Sequence, residues 1–481
     1  MKNKRISVFI PLLALFSLAS CNNGQEASLN DSGIKGTDEV KPSQIIYVSS
    51  DSTNIFASGT KEDPMSIENA IRTSQPGALI YLLDGVYKSE YPIKVNSETE
   101  NNPATKGHVK TLKPLNKGKV VFDFSSMKWG SSNRGLTFDN DYWHVIGFEV
   151  FGAGDNGIYI GGSHNIIEDC ITHDCGDTGI QLGRKASSYN NIEKWPSYNL
   201  IKNCTSYDNH DPLGEDSDGF ACKLTTGVGN VFDGCIAYNN VDDGWDLYTK
   251  GESGPIGPVT LINCVAFNNG VTSGRHTNGK PYGTPNSDGN GFKLGGEVIE
   301  VGHKVINCVA FNNLACGFTD NSNPGTIYLE NCTSYNNGLR DYDANNFDLC
   351  RDVDTSINYM KNLFSYCDTG VKFTDGETKT FNSKDQYKGT VADSIFYFGR
   401  TMLKFDGVKE CDYTVVSMMG SIYESNISPF VSTVTPNNQL DIHTLLRDEE
   451  GNVKLGDFLK MNPDFVQAAF GEGVSLGANL E

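Results

Sequence analysis

Acidic residues stand at one recurring position, directly before short segments that begin with glycine. Asp218 precedes one such segment, Asp242-Asp243 precedes the next, and Asp246 lies two residues after that second glycine. Aligning the segments on their glycines brings the four carboxylates together, and such a group cannot stay fully ionised without a cation. Oxygen ligands without His or Cys favour a hard ion, and flexible loops favour Ca2+ over Mg2+. We therefore predict a Ca2+ site formed by all four aspartates, the alternative being a solvated acidic edge.

Lys293 occupies the position of Asp246 in the following glycine-led segment, Asn290 to Gly296. A lysine acts as a Brønsted base only when it is neutral, so its pKa must be lowered by burial or by a nearby cation. A Ca2+ ion bound by the aspartates supplies such a cation, although Asp246 acts in the opposite sense. We predict that Lys293 is a catalytic base, the alternative being a salt bridge to Asp246.

Other basic residues near this group are candidate contacts for an anionic ligand. Lys223 points outward from the strand that precedes the strand of Asp246, and it is a candidate substrate-binding residue or else a solvated surface lysine. Arg275, His276 and Lys280 lie in an inserted segment, 270–289, where no register places them.

A repeat organises the middle of the chain and sets these registers. An apolar residue stands three positions before each repeated cysteine, and Asp, Asn or Gly stands one position before it. The cysteines are Cys170, Cys204, Cys235, Cys264, Cys308 and Cys332, with spacings of 34, 31, 29, 44 and 24 residues. The distance from each cysteine to the next glycine-led strand varies, so insertions fall at one point of the repeat. Short strands without helical periodicity predict a parallel β-helix solenoid, because leucine-rich and helical repeats need other patterns.

The β-helix interpretation assigns a role to each repeated position. The cysteines are predicted to stack inside as small apolar residues rather than to form disulfides. The residues before them are predicted to adopt left-handed bends and, where they are Asn, to bond each other in a ladder. The outward column of the glycine-led strands is predicted to contain Tyr159, Gln181, Ala221, Asp246, Lys293, Thr319, Asp348 and Lys372.

The two ends of the solenoid are predicted to be covered. The stretch 44–48 is predicted to be the first strand, and 63–72 a short amphipathic helix with Ser66 as its N-cap. That helix caps the apolar N-terminal end, and the segment 438–460 covers the C-terminal end. We predict a single all-β domain over 45–481 that acts as a monomer.

The N-terminus reads as an export signal followed by a tether. A basic start and an apolar stretch too short to span a bilayer lead into Leu18-Ala19-Ser20-Cys21. This resembles a bacterial lipobox, which implies cleavage before Cys21 and its lipidation; an ordinary signal peptide with a chance cysteine is the alternative. Residues 22–44 are polar and predict a flexible tether. We expect an exported lipoprotein of a Gram-negative bacterium, in the periplasm or at the outer membrane or cell surface, that meets the membrane only through its lipid anchor.

Composition excludes two classes of protein. The formal net charge of −20 argues against a nucleic-acid partner, because a phosphate backbone needs a basic face. Hydrophobic residues make up 38% and charged residues 20%, which is not the composition of a disordered chain.

The three segments Asp218-Gly-Phe, Asp242-Asp243-Gly-Trp-Asp246 and Gly291-Phe-Lys293-Leu-Gly-Gly resemble polysaccharide lyase family nine. The resemblance covers most of residues 45–470 and implies a right-handed parallel β-helix that cleaves pectic polyuronates. It also implies one Ca2+ on the four aspartates, Lys293 as the base, and β-elimination of a 4-linked galacturonate in plant cell-wall polysaccharide.

Four interpretations of function remain open at this point. The polymer is either homogalacturonan or the alternating backbone of rhamnogalacturonan I. A polygalacturonase-type hydrolase also uses a β-helix and paired aspartates, but it carries a Gly-His-Gly segment that this chain lacks. A non-catalytic carbohydrate-binding β-helix would require the registers of the aspartates and Lys293 to be coincidental.

Overall fold

Three faces of parallel strands wind into a right-handed β-helix in this computed structural model, which confirms the predicted fold class. The structure describes residues 41–274, 282–338, 345–350, 358–368, 371–372, 378–379, 381, 383–411, 420–435 and 446–481. Cys21, Arg275, His276 and Lys280 lie outside these residues, so lipidation and the loop contacts stay predictions. Lys41–Glu481 forms one compact unit. No helix in the described part is long and apolar enough to span a bilayer.

The first face contains Gln44–Val48, Ala78–Leu82, Lys110–Pro114, Trp143–Ile146, Ile166–Glu168, Leu200–Lys202, Val231–Asp233, Thr260–Ile262, Lys304–Ile306, Tyr328–Glu330 and Asn358–Lys361. The second face contains Gly85–Lys88, Val120–Asp123, Glu149–Phe151, Ile171–His173, Thr205–Tyr207, Ile236–Tyr238, Val265–Phe267, Val309–Phe311, Thr333–Tyr335 and Phe364–Tyr366. The third face contains Ile93–Val95, Leu136–Phe138, Ile158–Ile160, Ile180–Leu182, Phe220–Cys222, Trp245–Asp246, Phe292–Lys293, Phe318–Thr319, Phe347–Leu349 and Gln386–Tyr387.

The remaining strands lie toward the C-terminal end of the solenoid. Gly389–Phe398 continues the first and second faces and pairs antiparallel with Thr401–Cys411, which pairs in turn with Ser421–Tyr423. Val371–Lys372 pairs antiparallel with Thr378–Lys379. Two α-helices, α1 (Ile67–Thr73) and α2 (Pro463–Phe470), and a 3-10 helix, Ile192–Lys194, complete the described elements.

The repeated cysteines stack inside the solenoid as free thiols, as predicted. All six are fully buried and unpaired. Several thiols donate to a carbonyl of the preceding coil, for example Cys204 to Ile167 O and Cys235 to Ile201 O, each at 3.4 Å. The stack therefore acts as a column of small apolar side chains that fills the narrow core.

The bends before the cysteines adopt the predicted left-handed conformation. Asn203, Asn263, Asn307 and Asn331 have φ between 52° and 55°. Part of the predicted amide ladder forms there, since Asn307 Nδ2 donates to Asn263 Oδ1 at 2.7 Å.

A second, buried asparagine ladder supports the turn that leads to the third face. Each asparagine in it lies five residues after a repeated cysteine and donates its amide to the next member at 2.8–3.0 Å. The members are Asn209, Asn240, Asn269, Asn313 and Asn337. Buried amides bonded on both sides fix the conformation of these turns in successive coils.

The ends differ from the sequence prediction in detail. Helix α1 begins at Ile67, four residues later than predicted, with Ser66 as its N-cap. Leu446 and Phe458 are buried against the outer side of the second face, so the described part of the predicted cover, 446–460, lies along a flank rather than over the end of the solenoid; 438–445 lie outside the described residues. Arg447 fixes it there by donating to the carbonyls of Gly234 and Cys204, both at 2.8 Å.

Candidate active site

The predicted site residues lie where the chain passes from the second face to the third: Asp218, Asp242 and Asp243 in the turn, and Asp246 and Lys293 on third-face strands. The parallel register pairs Ala221 with Asp246, and Asp246 with Lys293, as the alignment on glycines predicted. The outward column continues through Thr319 and Asp348. It then passes to Gln386 rather than to the predicted Lys372, whose strand belongs to a separate antiparallel pair.

Glycine is required at the start of these strands because the coils approach closely. A β-carbon on Gly244 would lie 2.6 Å from the Gly291 carbonyl oxygen and 2.9 Å from the Asn269 amide nitrogen. The asparagine ladder thus packs directly beneath the turn. It holds Asp243 and Asp246, on either side of Gly244, at fixed positions.

Three of the four predicted ligands converge in this structure. Asp218, Asp242 and Asp243 each offer a carboxylate oxygen, and these oxygens lie within 4.8 Å of one another. All three residues are buried, at 0–2% exposure. A donor set made only of carboxylate oxygens suits a hard cation.

Backbone hydrogen bonds orient the three carboxylates. Asp218 Oδ1 accepts from the Asp243 N–H at 3.2 Å, and Asp242 Oδ1 accepts from the Asp288 N–H. Asp243 Oδ1 accepts from both the backbone and the side-chain amide of Asn290, at 2.6 and 2.9 Å. The other oxygen, Oδ2 of Asp243, is buried and accepts no hydrogen bond among the described residues. This oxygen lies 3.3 Å from Lys293 Nζ, and its place beside two further carboxylates is consistent with a cation position.

Electrostatics at the triad also indicate a place for positive charge. Burial, reinforced by the neighbouring carboxylates, raises the pKa of Asp218 and of Asp242 well above the usual range. Burial raises the pKa of Asp243 to about 6. Without a cation, the protein therefore favours keeping protons on part of this cluster.

Asp246 lies beside the triad and is paired with a lysine. Its Oδ2 is 3.0 Å from Lys223 Nζ, and Lys223 Nζ also lies 2.7 Å from Asp218 Oδ2. Although burial acts in the opposite direction, the ammonium groups of Lys223 and Lys293 lower the pKa of Asp246. The structure thus places Lys223 between two predicted ligands, with only 10% of its side chain exposed.

Lys293 lies at the edge of the triad, where its Nζ is 3.3 Å from Asp243 Oδ2 and 2.7 Å from Asp288 Oδ2. The predicted alternative, a direct salt bridge to Asp246, is not among the ion pairs of the described residues. Burial lowers the pKa of Lys293, but the carboxylates of Asp243, Asp246 and Asp288 outweigh it and raise that pKa. Lys293 is therefore protonated in the ion-free protein.

Sequence reasoning missed Asp288 and Asn290. Asp288 ends the inserted segment, where no repeat position assigns it a neighbour, although its place five residues before Lys293 was visible. Asn290 aligns with Asp218 and Asp243 directly before its glycine, so the same alignment that found the aspartates indicates it.

A second insertion, 208–217, contacts the described part of the inserted segment 270–289 beside the site. Ser273 donates its N–H and its hydroxyl to Asp208, and Thr284 donates its hydroxyl to the Leu213 carbonyl at 2.9 Å. Tyr282 donates its hydroxyl to Pro212 O at 2.9 Å. The insertion that carries Asp288 is thereby braced against the preceding coil.

Comparisons with known proteins agree with this architecture. Residues 46–361 match the family model described as the Pel9A-like right-handed β-helix region. The chain is 48% identical over 327 residues to a protein of Paenibacillus polymyxa (strain SC2) named pectate lyase L, covering 67% of this chain and 70% of that one. The crystal structure of pectate lyase Pel9A superposes with a TM-score of 0.64 at 27% identity, covering 89% and 91% of the two chains. A structure named rhamnogalacturonan lyase superposes with a TM-score of 0.61 at 22% identity, over 90% of this chain and 99% of that one, and shows the shared fold.

Proposed function

The chain belongs to the Pel9A-like family of right-handed β-helix proteins and is a polysaccharide lyase, and we propose that it cleaves pectic galacturonate polymers by Ca2+-dependent β-elimination. The observation that carries this proposal is the position of Lys293 Nζ, 3.3 Å from Asp243 Oδ2 at the edge of a buried carboxylate triad. The candidate base and the cation site are therefore adjacent. A uronate substrate requires this arrangement, because the base must reach the C5 proton while the cation binds the neighbouring carboxylate.

The residues present fit a bound Ca2+. Asp218, Asp242 and Asp243 would hold it. Asp246, three residues after Asp243, would join them as the fourth ligand, although its Oδ2 pairs with Lys223 in the ion-free protein. Bound there, Ca2+ would supply positive charge that neutralises the substrate carboxylate, acidifies the C5 proton and offsets the carboxylates that keep Lys293 protonated.

Lys293 performs the chemical step in this proposal. Its neutral amine takes the proton from C5, the electron pair of that C–H bond forms the C4–C5 double bond, and the C4–O bond breaks. The leaving oxygen keeps the bonding pair and takes a proton from solvent, so no water is added across the bond. Asp288 and Asp243 hold the Lys293 side chain at the edge of the triad, which limits its movement before the substrate arrives.

Lys223 has a supporting role in this site. Four carboxylates and one Ca2+ leave two negative charges, which would repel a uronate carboxylate. Because Lys223 lies 2.7 and 3.0 Å from Asp218 and Asp246, it removes one of those charges. We infer that Lys223 favours substrate binding indirectly, by neutralising part of the negative charge of Asp218 and Asp246.

An assay on polygalacturonate tests the function. A lyase produces an unsaturated sugar with ultraviolet absorbance, and a chelator abolishes that absorbance while added Ca2+ restores it. Lys293→Ala serves as the matched control for contaminating activity. New reducing ends without absorbance would indicate a hydrolase, and binding without either product would indicate a non-catalytic protein; both results contradict the proposal.

A further inference from the structure

An exposed tryptophan lies on the same turn as the active site, in the coils that precede it. Trp129 is 58% exposed, whereas the other three tryptophans, Trp143, Trp195 and Trp245, are at most 3% exposed. Its indole N–H donates to the Gly176 carbonyl at 3.0 Å. A β-carbon at Gly176 would lie 2.7 Å from Cδ1 of the indole, so the ring rests directly on this backbone.

The segment that carries Trp129 is fixed to the solenoid at several points. The Gly130 N–H donates to Gly154 O at 2.8 Å, and Asn133 Nδ2 donates to Lys128 O at 2.8 Å. Single exposed apolar residues are common on protein surfaces, so exposure alone assigns no role to Trp129. A ring held in one orientation while more than half exposed is, however, preorganised for stacking.

The turn beneath Trp129 leads directly to the active site. Thr178, two residues after Gly176, donates its hydroxyl to Oδ2 of Asp218 at 3.0 Å. A polymer crossing the triad along the column therefore passes Trp129 within a few coils, at about 4.8 Å per coil.

Arg134 follows Trp129 on the same segment and places a cation over the third face. Its guanidinium carbon is 3.3 Å from the ring centroid of Tyr159, and its Nε is 3.4 Å from Asp155 Oδ2. Tyr159 belongs to the outward column, three coils before Asp246. Burial, with Asp177 alongside, raises the pKa of Asp155 to about 7, which reduces the negative charge around Arg134 near neutral pH.

The electrostatics of the column favour this side of the triad for a polyanion. On the far side of Lys293 the column offers Thr319 and the carboxylate of Asp348, whereas on the near side it runs from Ala221 back to Lys94 without a carboxylate. Arg134 lies beside this near part, and burial raises the pKa of both carboxyl groups next to it, Asp139 and Asp155. Because the protein carries a net charge of −20, local cations must hold an anionic polymer.

We propose that Trp129 and Arg134 form a distal subsite for one uronate unit of the polymer, with the indole stacked on the sugar ring and the guanidinium on its carboxylate. The indole face suits the apolar C–H face of a sugar ring, and the planar guanidinium suits a carboxylate. This subsite deepens the proposed function and rests on it for the identity of the polymer. It acts on long chains only, because a short oligomer at the triad does not reach it.

Intrinsic fluorescence tests the subsite without relying on turnover, because Trp129 is the one exposed tryptophan of the four. In Ca2+-loaded Lys293→Ala protein, we expect long oligogalacturonates to change the tryptophan fluorescence, and we expect Trp129→Phe to remove that change. Trp129→Ala and Arg134→Met, in the same background, should each weaken the affinity for long oligomers by about tenfold and leave that for the shortest bound oligomer unchanged. Phe56→Ala removes an aromatic side chain that is 86% exposed, in the segment before α1, and serves as the control.

The outcomes separate the subsite from the function. Unchanged affinity for long oligomers in both variants, with the fluorescence change retained in Trp129→Phe, would overturn the subsite even if the wild-type protein is an active lyase. Trp129-dependent binding in a protein without lyase activity would instead support the subsite and contradict the proposed reaction. Equal losses for short and long oligomers would also overturn it, because they place Trp129 at the triad.

Discussion

Lys223 and Asp246 face each other from successive coils, with Nζ of the lysine 3.0 Å from Oδ2 of the aspartate. The same ammonium lies 2.7 Å from Asp218. Lys223 is thus an internal counter-ion for two predicted Ca2+ ligands. Although burial acts against the charged form, these two carboxylates raise the pKa of Lys223, so it stays charged when the ion is removed.

Replacing Lys223 with Met should destabilise the ion-free protein and make it more dependent on Ca2+. The change leaves two buried carboxylates without their partner, a loss of about 3 kcal/mol or more in typical proteins. Ca2+ should restore most of that loss, so thermal unfolding should show a larger Ca2+-induced shift in the variant than in the wild type. Lys304→Met, at an exposed lysine of the first face, is the control. An equal shift in variant and wild type would contradict the counter-ion role.

Lys293→Arg should be as inactive as Lys293→Ala, with turnover reduced by about a hundredfold or more. Arginine preserves the positive charge and its ion pairs with Asp243 and Asp288, but a guanidinium stays protonated at any accessible pH and cannot accept the C5 proton. Rates from the absorbance assay, together with Ca2+ affinity from calorimetry, distinguish a lost base from a lost metal site. Substantial lyase activity in the Arg variant would show that Lys293 acts only through its charge.

Asp243→Ala should weaken Ca2+ binding by about tenfold or more, because it removes one charged ligand from the triad. Activity should recover partly at high Ca2+ concentration, since the other carboxylates remain. Calorimetric titration measures the affinity, and Asp216→Ala controls for the loss of an exposed carboxylate two residues from Asp218. Wild-type affinity in Asp243→Ala, or an equal loss in the control, would place the ion elsewhere.

The repeat in the sequence was enough to predict the register of the site. Alignment on Gly219, Gly244 and Gly291 placed Asp246 beside Lys293. In parallel coils, residues at the same distance from the aligned glycine are neighbours on adjacent strands. The cysteine column and the left-handed bends followed from the same periodicity. The buried ladder from Asn209 onward had an equally regular signal, five residues after each cysteine, and could have been found.

Features outside the repeat could not be placed in this way. Asp288 contacts Lys293 from an insertion, and an insertion has no register that a sequence offset could reveal. Lys372 was predicted to continue the outward column, but its strand pairs with Thr378–Lys379 instead. Apolar residues such as Leu446 and Phe458 indicated that the C-terminal segment packs on the solenoid. Its position on the flank depends on contacts with residues far away in the sequence, which the local pattern does not reveal.

His303 supplies a prediction about acid stability that is independent of the active site. It replaces asparagine in a buried column before the first-face strands, where Asn199 Oδ1 accepts the N–H of Asn165 and His303 Nδ1 accepts the N–H of Val259 at 3.1 Å. Its side chain is fully buried, and burial lowers the pKa of His303 to about 3.

Below pH 6.5 the unfolded chain binds a proton at His303 that the folded chain does not, so the free energy of unfolding should fall as the pH falls. The slope from this residue approaches about 1.4 kcal/mol per pH unit between the unfolded and folded pKa values. His303→Asn keeps an acceptor for the Val259 N–H but cannot be protonated, so it should remove that part of the slope. Its stability at pH 7 should be somewhat lower, because asparagine leaves part of the imidazole volume empty.

Denaturant unfolding from pH 7 to pH 4, with the exposed His108→Asn as the matched control, measures the difference. Parallel pH profiles for His303→Asn and the wild type would show that the buried imidazole does not resist protonation in the folded protein.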